Sequence, residues 1–308
     1  MFTDLDGSGG DALPDLHILF VLSPHYTWEH DQFEHEQHAA ESLDIPFVVV
    51  DIHLLAQEAF DVALRALPPG SGRRWLYRGY ILPIDIYEAL YDAIRDRGDI
   101  LVVPPGAVEE ASMIPHYLPA IEDCTPETRW IDGTDPTAAW AAACELGPPP
   151  WIIKDHIKSA KEAWEEACYV PEGADRAEFD AICRGLIDHR GDQFVGGIVI
   201  RRYVPLTPCY ITDPGLLAFD EYRLFFWEGA LLCWAPYLDA SPPDFLPPFD
   251  PAAWHFLGDR IDSPFFVADV ARQNDGAWTV IEINDGGYAA MPACLDPRTF
   301  YATLLEQL

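Results

Sequence analysis

The chain of 308 residues has room for one large or two medium domains and for a core that needs no disulfide or metal staple. Its hydrophobic content of 49% and aromatic content of 13% exclude a disordered or low-complexity protein. With 19 basic against 51 acidic residues, a formal charge of −32, the surface repels phosphate backbones and anionic lipids, which argues against nucleic-acid and membrane partners.

In chain order, residues 1–14 read as a short flexible acidic tail with neither the basic start nor the apolar stretch of a signal peptide. Leu16–Leu22 and Ile45–Asp51 are apolar, β-branched runs of strand length, with a polar, helix-compatible segment, His30–Leu43, between them. Trp75–Ile81 reads as a third strand, Ile84–Arg97 as an amphipathic helix closed by Gly98, and Ile100–Val103 as a fourth strand. Residues 15–125 are therefore expected to form an N-terminal α/β domain. His25, His30, His35 and His38 sit in an acid-rich helical context and read as a solvated face rather than metal ligands.

Asp135-Pro136 opens a short helix that ends by Gly147, followed by a strand at Trp151–Lys154. Ser159 and Glu162 form a capping box that predicts a second helix. From Gly197 the pattern turns antiparallel: a strand at Gly197–Pro205, a hairpin about Glu228-Gly229, and a hairpin about Asp275-Gly276. A proline-rich loop, Ser241–Pro251, and a short helix ending near Leu257 lie between the hairpins, and residues 126–308 are expected to form an α+β domain. The seven cysteines are dispersed, odd in number and free of CxxC, which reads as reduced cytoplasmic core cysteines.

Lysine usage is more informative. All three lysines of the chain, Lys154, Lys158 and Lys161, fall within eight residues, while 16 arginines serve elsewhere. Lysine is a compact, flexible point charge, and its restriction to one segment marks a candidate site. Lys158 directly precedes the expected helix N-terminus, an anion site by dipole and charge together.

A two-residue turn at Asp275-Gly276 places Asp269 opposite Glu282, with Asn284 on the same face. The other face carries Phe266, Ala268, Val270, Ile281 and Ile283. Two facing acids and an amide form an oxygen-only set suited to Mg²⁺. The same arithmetic places Arg223 opposite Trp234 and on the face of Glu221. No Walker A or dinucleotide fingerprint is present.

Lys154 after a strand, the IRRYV strand, EYRLFF, and Asp269 followed thirteen residues later by the Glu of VIEIN together resemble the ATP-grasp superfamily. WIIKDHIKSAKEAWEEACYVP, WLYRGYILPIDIYEAL and CTPETRW are similar to segments of its R-two-K clade of bacterial and phage proteins. The resemblance implies ATP and Mg²⁺ as cofactors, an α/β domain followed by an ATP-grasp domain, and a carboxylate–amine ligase working through an acyl phosphate. A phosphotransferase or a non-catalytic nucleotide-binding module on the same scaffold is the alternative. Carried over by motif, Lys154 contacts the nucleotide. The stretch Arg201, Arg202, Tyr203 and Val204 forms the adenine hinge, with the backbone of the last three reading the base edge. Asp269, Glu282 and Asn284 bind the metal, while Arg223 and Lys158 act on the transferring phosphoryl group. Arg129 is the nearest candidate for an upstream lysine that many relatives have. Expected partners are a small-molecule or peptide carboxylate and an amine; oligomeric state, a homodimer included, is left open. Ser241–Pro251 and Arg190–Gly197 are candidate closing loops.

Overall fold

The computed structural model describes residues 16–23, 33–211, 217–237 and 249–308. The expected tail, His25, His30 and positions 241–248 of the proline-rich loop lie outside them. The chain divides into two compact units, Met1–Val102 with Asp296–Leu308, and Val103–Leu295. The division falls at 102/103 rather than the expected 125/126, and the last helix returns to the first unit.

The first unit is an α/β layer. Strands β1 (Leu16–Leu22), β2 (Phe47–Asp51), β3 (Arg74–Gly79) and β4 (Ile100–Leu101) form a parallel sheet in the order β2-β1-β3-β4. β1 is buried along almost its whole length, as an unbroken apolar run in a parallel sheet should be. The helix Ile84–Asp96 buries Tyr87, Leu90 and Ile94. His35 and His38, on the helix Glu34–Ser42, are exposed as expected.

That helix and Pro297–Leu305 share a buried polar knot. Arg78 donates to both oxygens of Glu36, at 2.7 and 2.5 Å, and the Tyr301 hydroxyl donates to Glu36 at 2.8 Å. All three side chains are essentially inaccessible to solvent. Removing one partner strands a buried charge. We expect Arg78→Met to cost about 3–5 kcal/mol and Tyr301→Phe about 1–3 kcal/mol, read as shifts of the denaturant midpoint. Tyr301→Phe at wild-type stability would show that the hydroxyl contributes nothing to the knot.

The second unit is α+β and antiparallel. β5 (Thr128–Asp132), β6 (Trp151–Lys154), β7 (Tyr169–Val170) and β8 (Gly197–Arg202) form one sheet in the order β5-β8-β6-β7. β9 (Pro208–Ile211) pairs with β10 (Leu217–Phe219). β11 (Glu221–Trp227), β12 (Ala230–Pro236), β13 (Phe265–Arg272) and β14 (Trp278–Asp285) form a third sheet, β12-β11-β13-β14. One core gathers around Trp151 and Phe179 beside the first of these sheets, another around Phe226 and Phe266 beside the third. Glu228 and Gly229 both take positive φ, 47° and 81°, which suits the tight turn joining β11 to β12.

Two local expectations need correction. The capping box at Ser159 starts no α-helix; a 3₁₀ turn at Lys161–Ala163 and a π-helical turn at Trp164–Cys168 follow instead. Asp155 explains this, because its carboxylate accepts from the backbone N–H groups of Ile157 and Lys158 at 2.7 and 2.6 Å and bends the chain before Ser159. Lys158 therefore does not flank a helix N-terminus. The short helix expected to end near Leu257 is present as a 3₁₀ turn at Pro251–Trp254, and a further short helix follows at Leu257–Arg260. All seven cysteines are free, but only Cys168 and Cys183 are buried; Cys144 is exposed and the other four are half-buried rather than in the core.

Candidate active site

The β13–β14 hairpin turns through Asn274, Asp275 and Gly276, not two residues: Arg272 pairs with Trp278 and the Gln273 N–H donates to the Ala277 carbonyl. Gly276 takes φ +91°, which a three-residue hairpin loop requires. The added loop residue shifts the ladder by one. A bulge at Ile281 shifts it back, so Asp269 does face Glu282 across the strands. The bulge also exchanges two side chains. Val280, not Ile281, joins Ala268, Val270 and Ile283 in the core, while Ile281 turns to a cavity and its carbonyl accepts from Arg201 at 2.5 Å.

Cations meet these oxygens one for one. Lys154 donates to Glu282 at 2.6 Å, and Lys158 to the side-chain oxygen of Asn284 at 3.0 Å. Arg223 forks onto both oxygens of Asp269, at 2.8 and 2.7 Å, and donates a third bond to the Ala290 carbonyl. Six of the expected site residues thus converge from β6, its following turn, β11, β13 and β14. Burial alone would raise the Glu282 carboxyl, but the three lysines hold it well below the usual carboxylate range. Burial and the Asp269 carboxylate push Glu221 up to about 7. Burial opposes the Arg223 charge, yet Asp269 outweighs it and raises the guanidinium above its ordinary value.

Arg223 does not face Trp234. A bulge at Leu232 shifts the β11–β12 ladder, so Arg223 lies opposite Ala235 and Trp234 opposite Leu224. The ring over Arg223 is Tyr237, with its centroid 4.2 Å from the guanidinium carbon. Arg129 is also not in the cavity wall; it spans Glu145 and Glu127 on the outer part of β5. Arg201 and Arg202 line the cavity instead; Arg201 is buried and bonded to the Thr128 hydroxyl at 2.9 Å and the Ile281 carbonyl.

The cavity measures about 650 Å³, within the range of cofactor sites. Ile152, Trp164, Tyr203, Val204, Leu206 and Phe219 supply apolar wall; Lys154, Lys161, Arg201, Glu221 and Glu282 supply charge. At the expected hinge, the N–H groups of Arg202 and Tyr203 are already bonded to the Glu127 and Pro150 carbonyls. Among the described residues only Val204, of the three, keeps an N–H without a partner. The Arg202 side chain is drawn off to the Leu146 carbonyl and Glu127. Arg190–Gly197 is fastened rather than loose: Arg190 bonds Asp155 at 2.9 Å, and a Cβ on Gly196 (φ +69°) would lie 2.1 Å from the His156 ring.

Lys161, Glu221 and Tyr237 are cavity residues that the sequence reading did not assign. Lys161 carried a signal, as the third member of the lysine cluster. Glu221 carried another, two residues from Arg223 on the same face. Tyr237 carried none.

Asp269, Glu282 and Asn284 suit a hard divalent cation. All are oxygen donors on one strand face, and Glu282 fronts a cavity wide enough for further oxygen ligands from a phosphate. Among the described residues no group of three His, Cys, Asp or Glu side chains could hold a metal unaided, so such an ion needs ligands from its substrate.

We expect Lys154→Ala to weaken ATP binding roughly ten- to a hundred-fold, the worth of a charged hydrogen bond. Arg95→Ala, which removes an exposed cation paired with Asp92, should leave it unchanged. Equal affinity in both variants would reject a nucleotide role for Lys154.

A family model described as ATP-grasp domain, R-two-K clade family 3, matches residues 145–304. D-cycloserine synthetase DcsG superposes with a TM-score of 0.60 at 13% identity, covering 94% of this chain and 99% of that one. D-alanine–D-alanine ligase from Bacillus anthracis gives 0.59 at 11% identity, covering 95% of each chain. A RimK domain ATP-grasp protein from Sphaerobacter thermophilus gives 0.56 at 15%, covering 94% of this chain and 99% of that one. At these identities the likeness is one of fold. No curated protein matches the sequence.

Proposed function

Because the chain belongs to the ATP-grasp domain, R-two-K clade family 3, we propose that it is an ATP-dependent carboxylate–amine ligase working through an acyl phosphate. The observation that carries this reading is the meeting of Lys154, Lys158 and Arg223 with Glu282, Asn284 and Asp269 beside one cavity. A carboxylate resists attack by an amine because its charge repels the nucleophile. Phosphorylation replaces that charge with a leaving group.

In the proposed sequence a carboxylate oxygen of the acceptor takes the γ-phosphoryl group and ADP departs. The amine then attacks the acyl carbon, phosphate leaves, and the amine loses a proton. Phosphoryl transfer needs positioning and cations more than covalent help. The apolar wall at Ile152, Val204, Leu206 and Phe219 would hold the base, with the Val204 N–H as its one open hinge donor. Lys154 and Lys158 would meet the polyphosphate, and Arg223 the transferring group. Bound through Asp269, Glu282 and Asn284 and the phosphates, Mg²⁺ would supply charge neutralisation. D-cycloserine synthetase and D-alanine–D-alanine ligase share the fold, which supports an amino-acid or peptide carboxylate as the acceptor class. Seven free cysteines suit a reducing cytoplasm as the compartment. No described helix is long and apolar enough to cross a membrane.

The test is ATP, Mg²⁺ and hydroxylamine with amino-acid and peptide carboxylate panels. The ligase reading expects ADP together with a hydroxamate. ADP with a stable phosphoester instead would make the chain a phosphotransferase, and a thermal shift with ATP but no ADP a binding module.

A further inference from the structure

We propose that the outer edge of β5, with a second cavity beside it, binds an extended basic polypeptide segment as an added strand. The proposal stands apart from the nucleotide reading. β5 ends its sheet in the order β5-β8-β6-β7, so only one of its two edges is paired. The ladder fixes which groups face out. The Arg202 N–H donates to the Glu127 carbonyl and the Gly133 N–H to the Gly196 carbonyl, which puts the bonded positions at the odd-numbered residues of this stretch. The N–H and C=O groups of Thr128, Trp130 and Asp132 therefore point away from β8. Arg129 covers one of them, the Thr128 carbonyl, at 2.9 Å. Among the described residues no strand pairs with this edge.

A cavity of about 740 Å³ opens beside that edge, and all of its lining belongs to the second unit. Leu118 and Pro119, from the helix Ile114–Ile121, and Trp130 of β5 give it apolar surface. Trp130 is 37% exposed, so its indole is open to a ligand. Glu122, Asp123 and Glu127 bring carboxylates. Asp123 is taken by Arg260, and Glu127 by Arg129 and Arg202. Glu122 is exposed and has neither a hydrogen bond nor an ion pair among the described residues.

An indole and an uncommitted carboxylate in one cavity select a Lys or Arg side chain, its stem on apolar surface and its charge at Glu122 and the Trp130 face. The open strand edge adds that this side chain arrives on an extended backbone. Such a backbone can pair with Trp130 and Asp132 while alternate side chains fall toward the cavity. Charge then chooses among polypeptides. Between positions 122 and 135 the chain carries Glu122, Asp123, Glu127, Asp132 and Asp135 against Arg129 alone, and its formal charge is −32. A second copy of this chain would bring the same acids to the same edge. A basic segment is drawn in from a distance and gains a partner for Glu122 on arrival.

The experiment is fluorescence anisotropy of the full chain with a labelled, end-capped peptide of alternating lysine and valine. Its comparators are the same peptide with every backbone N–H methylated, and a peptide of alternating glutamate and valine. Wild type should bind the lysine–valine peptide saturably and both comparators about ten-fold more weakly or worse. Glu122→Lys and Trp130→Ala should each weaken that binding about ten-fold, with Glu122→Lys keeping the wild-type melting temperature. Glu88→Lys makes the same charge change at an exposed position of the helix Ile84–Asp96 and should leave the affinity unchanged. Absence of saturable binding to wild type overturns the proposal, as does undiminished affinity in Glu122→Lys. Equal binding of the methylated peptide, or an equal loss in Glu88→Lys, would reduce the effect to overall charge and reject the added strand. A dimer in sedimentation that Trp130→Ala dissolves would assign the edge to a second copy and overturn it too.

Discussion

Arg223→Lys should lower kcat by about 10²–10³-fold, the usual cost of losing one aimed transition-state donor, while ATP affinity stays within a few-fold. The side chain is buried and placed three ways: two bonds to Asp269, one to the Ala290 carbonyl, and the Tyr237 ring over its face. Those contacts leave a planar, permanently charged group pinned beside the acids expected to carry the metal. Lysine keeps the charge but cannot hold Asp269 with two parallel bonds, so Asp269 and the incoming phosphoryl oxygens would both lose their alignment. An interaction made mainly in the transition state appears in kcat and spares ground-state binding. If Arg223 serves only the fold, the variant will lose stability and keep turnover, an outcome that ends the catalytic assignment.

Glu282→Gln should abolish measurable turnover and also lower stability. Glutamine keeps the shape and removes the charge against which Lys154 is bonded and toward which Lys161 is drawn. Breaking a buried pair costs about 3–5 kcal/mol when the remaining charge has no other partner; the opening of the Glu282 side chain to the cavity puts the expected loss below that. The pH signature has a defined sign. The folded-state carboxyl is depressed, so its stabilisation is fully present above the ordinary glutamate range and is lost as pH falls through the lower folded value. Wild type should therefore lose its advantage over Glu282→Gln as the solution is acidified below about pH 4. Turnover that persists in the variant below its melting temperature would remove Glu282 from the metal site.

The residues that could be read from the chain, and those that could not, differ for local reasons. The facing of Asp269 and Glu282 was legible because two irregularities cancel: a loop one residue longer than assumed, and a bulge at Ile281. The partner of Arg223 was not, because the bulge at Leu232 stands uncompensated and strict alternation cannot reveal it. The capping box at Ser159 was overruled by its context: Asp155, four residues upstream, fastens the N–H groups of Ile157 and Lys158 in a turn just before it. Arg129 was drawn in by sequence resemblance alone. Its side chain pairs with Glu145, and buried Arg201 on the neighbouring strand lines the cavity instead. The strand order β2-β1-β3-β4 and the return of the last helix to the first unit are long-range facts that no local pattern encodes.

The central claim is that one cavity wall, built from the lysine segment, the Arg201–Val204 stretch and the end of β14, is a nucleotide site. Hydrogen–deuterium exchange with and without Mg²⁺ and β,γ-imido ATP addresses it most directly. Slowed exchange on nucleotide addition is expected at Lys154–Lys161, Arg201–Val204 and Glu282–Asn284, with no change across β1 to β4. Saturating nucleotide that leaves those three segments unprotected would contradict the account.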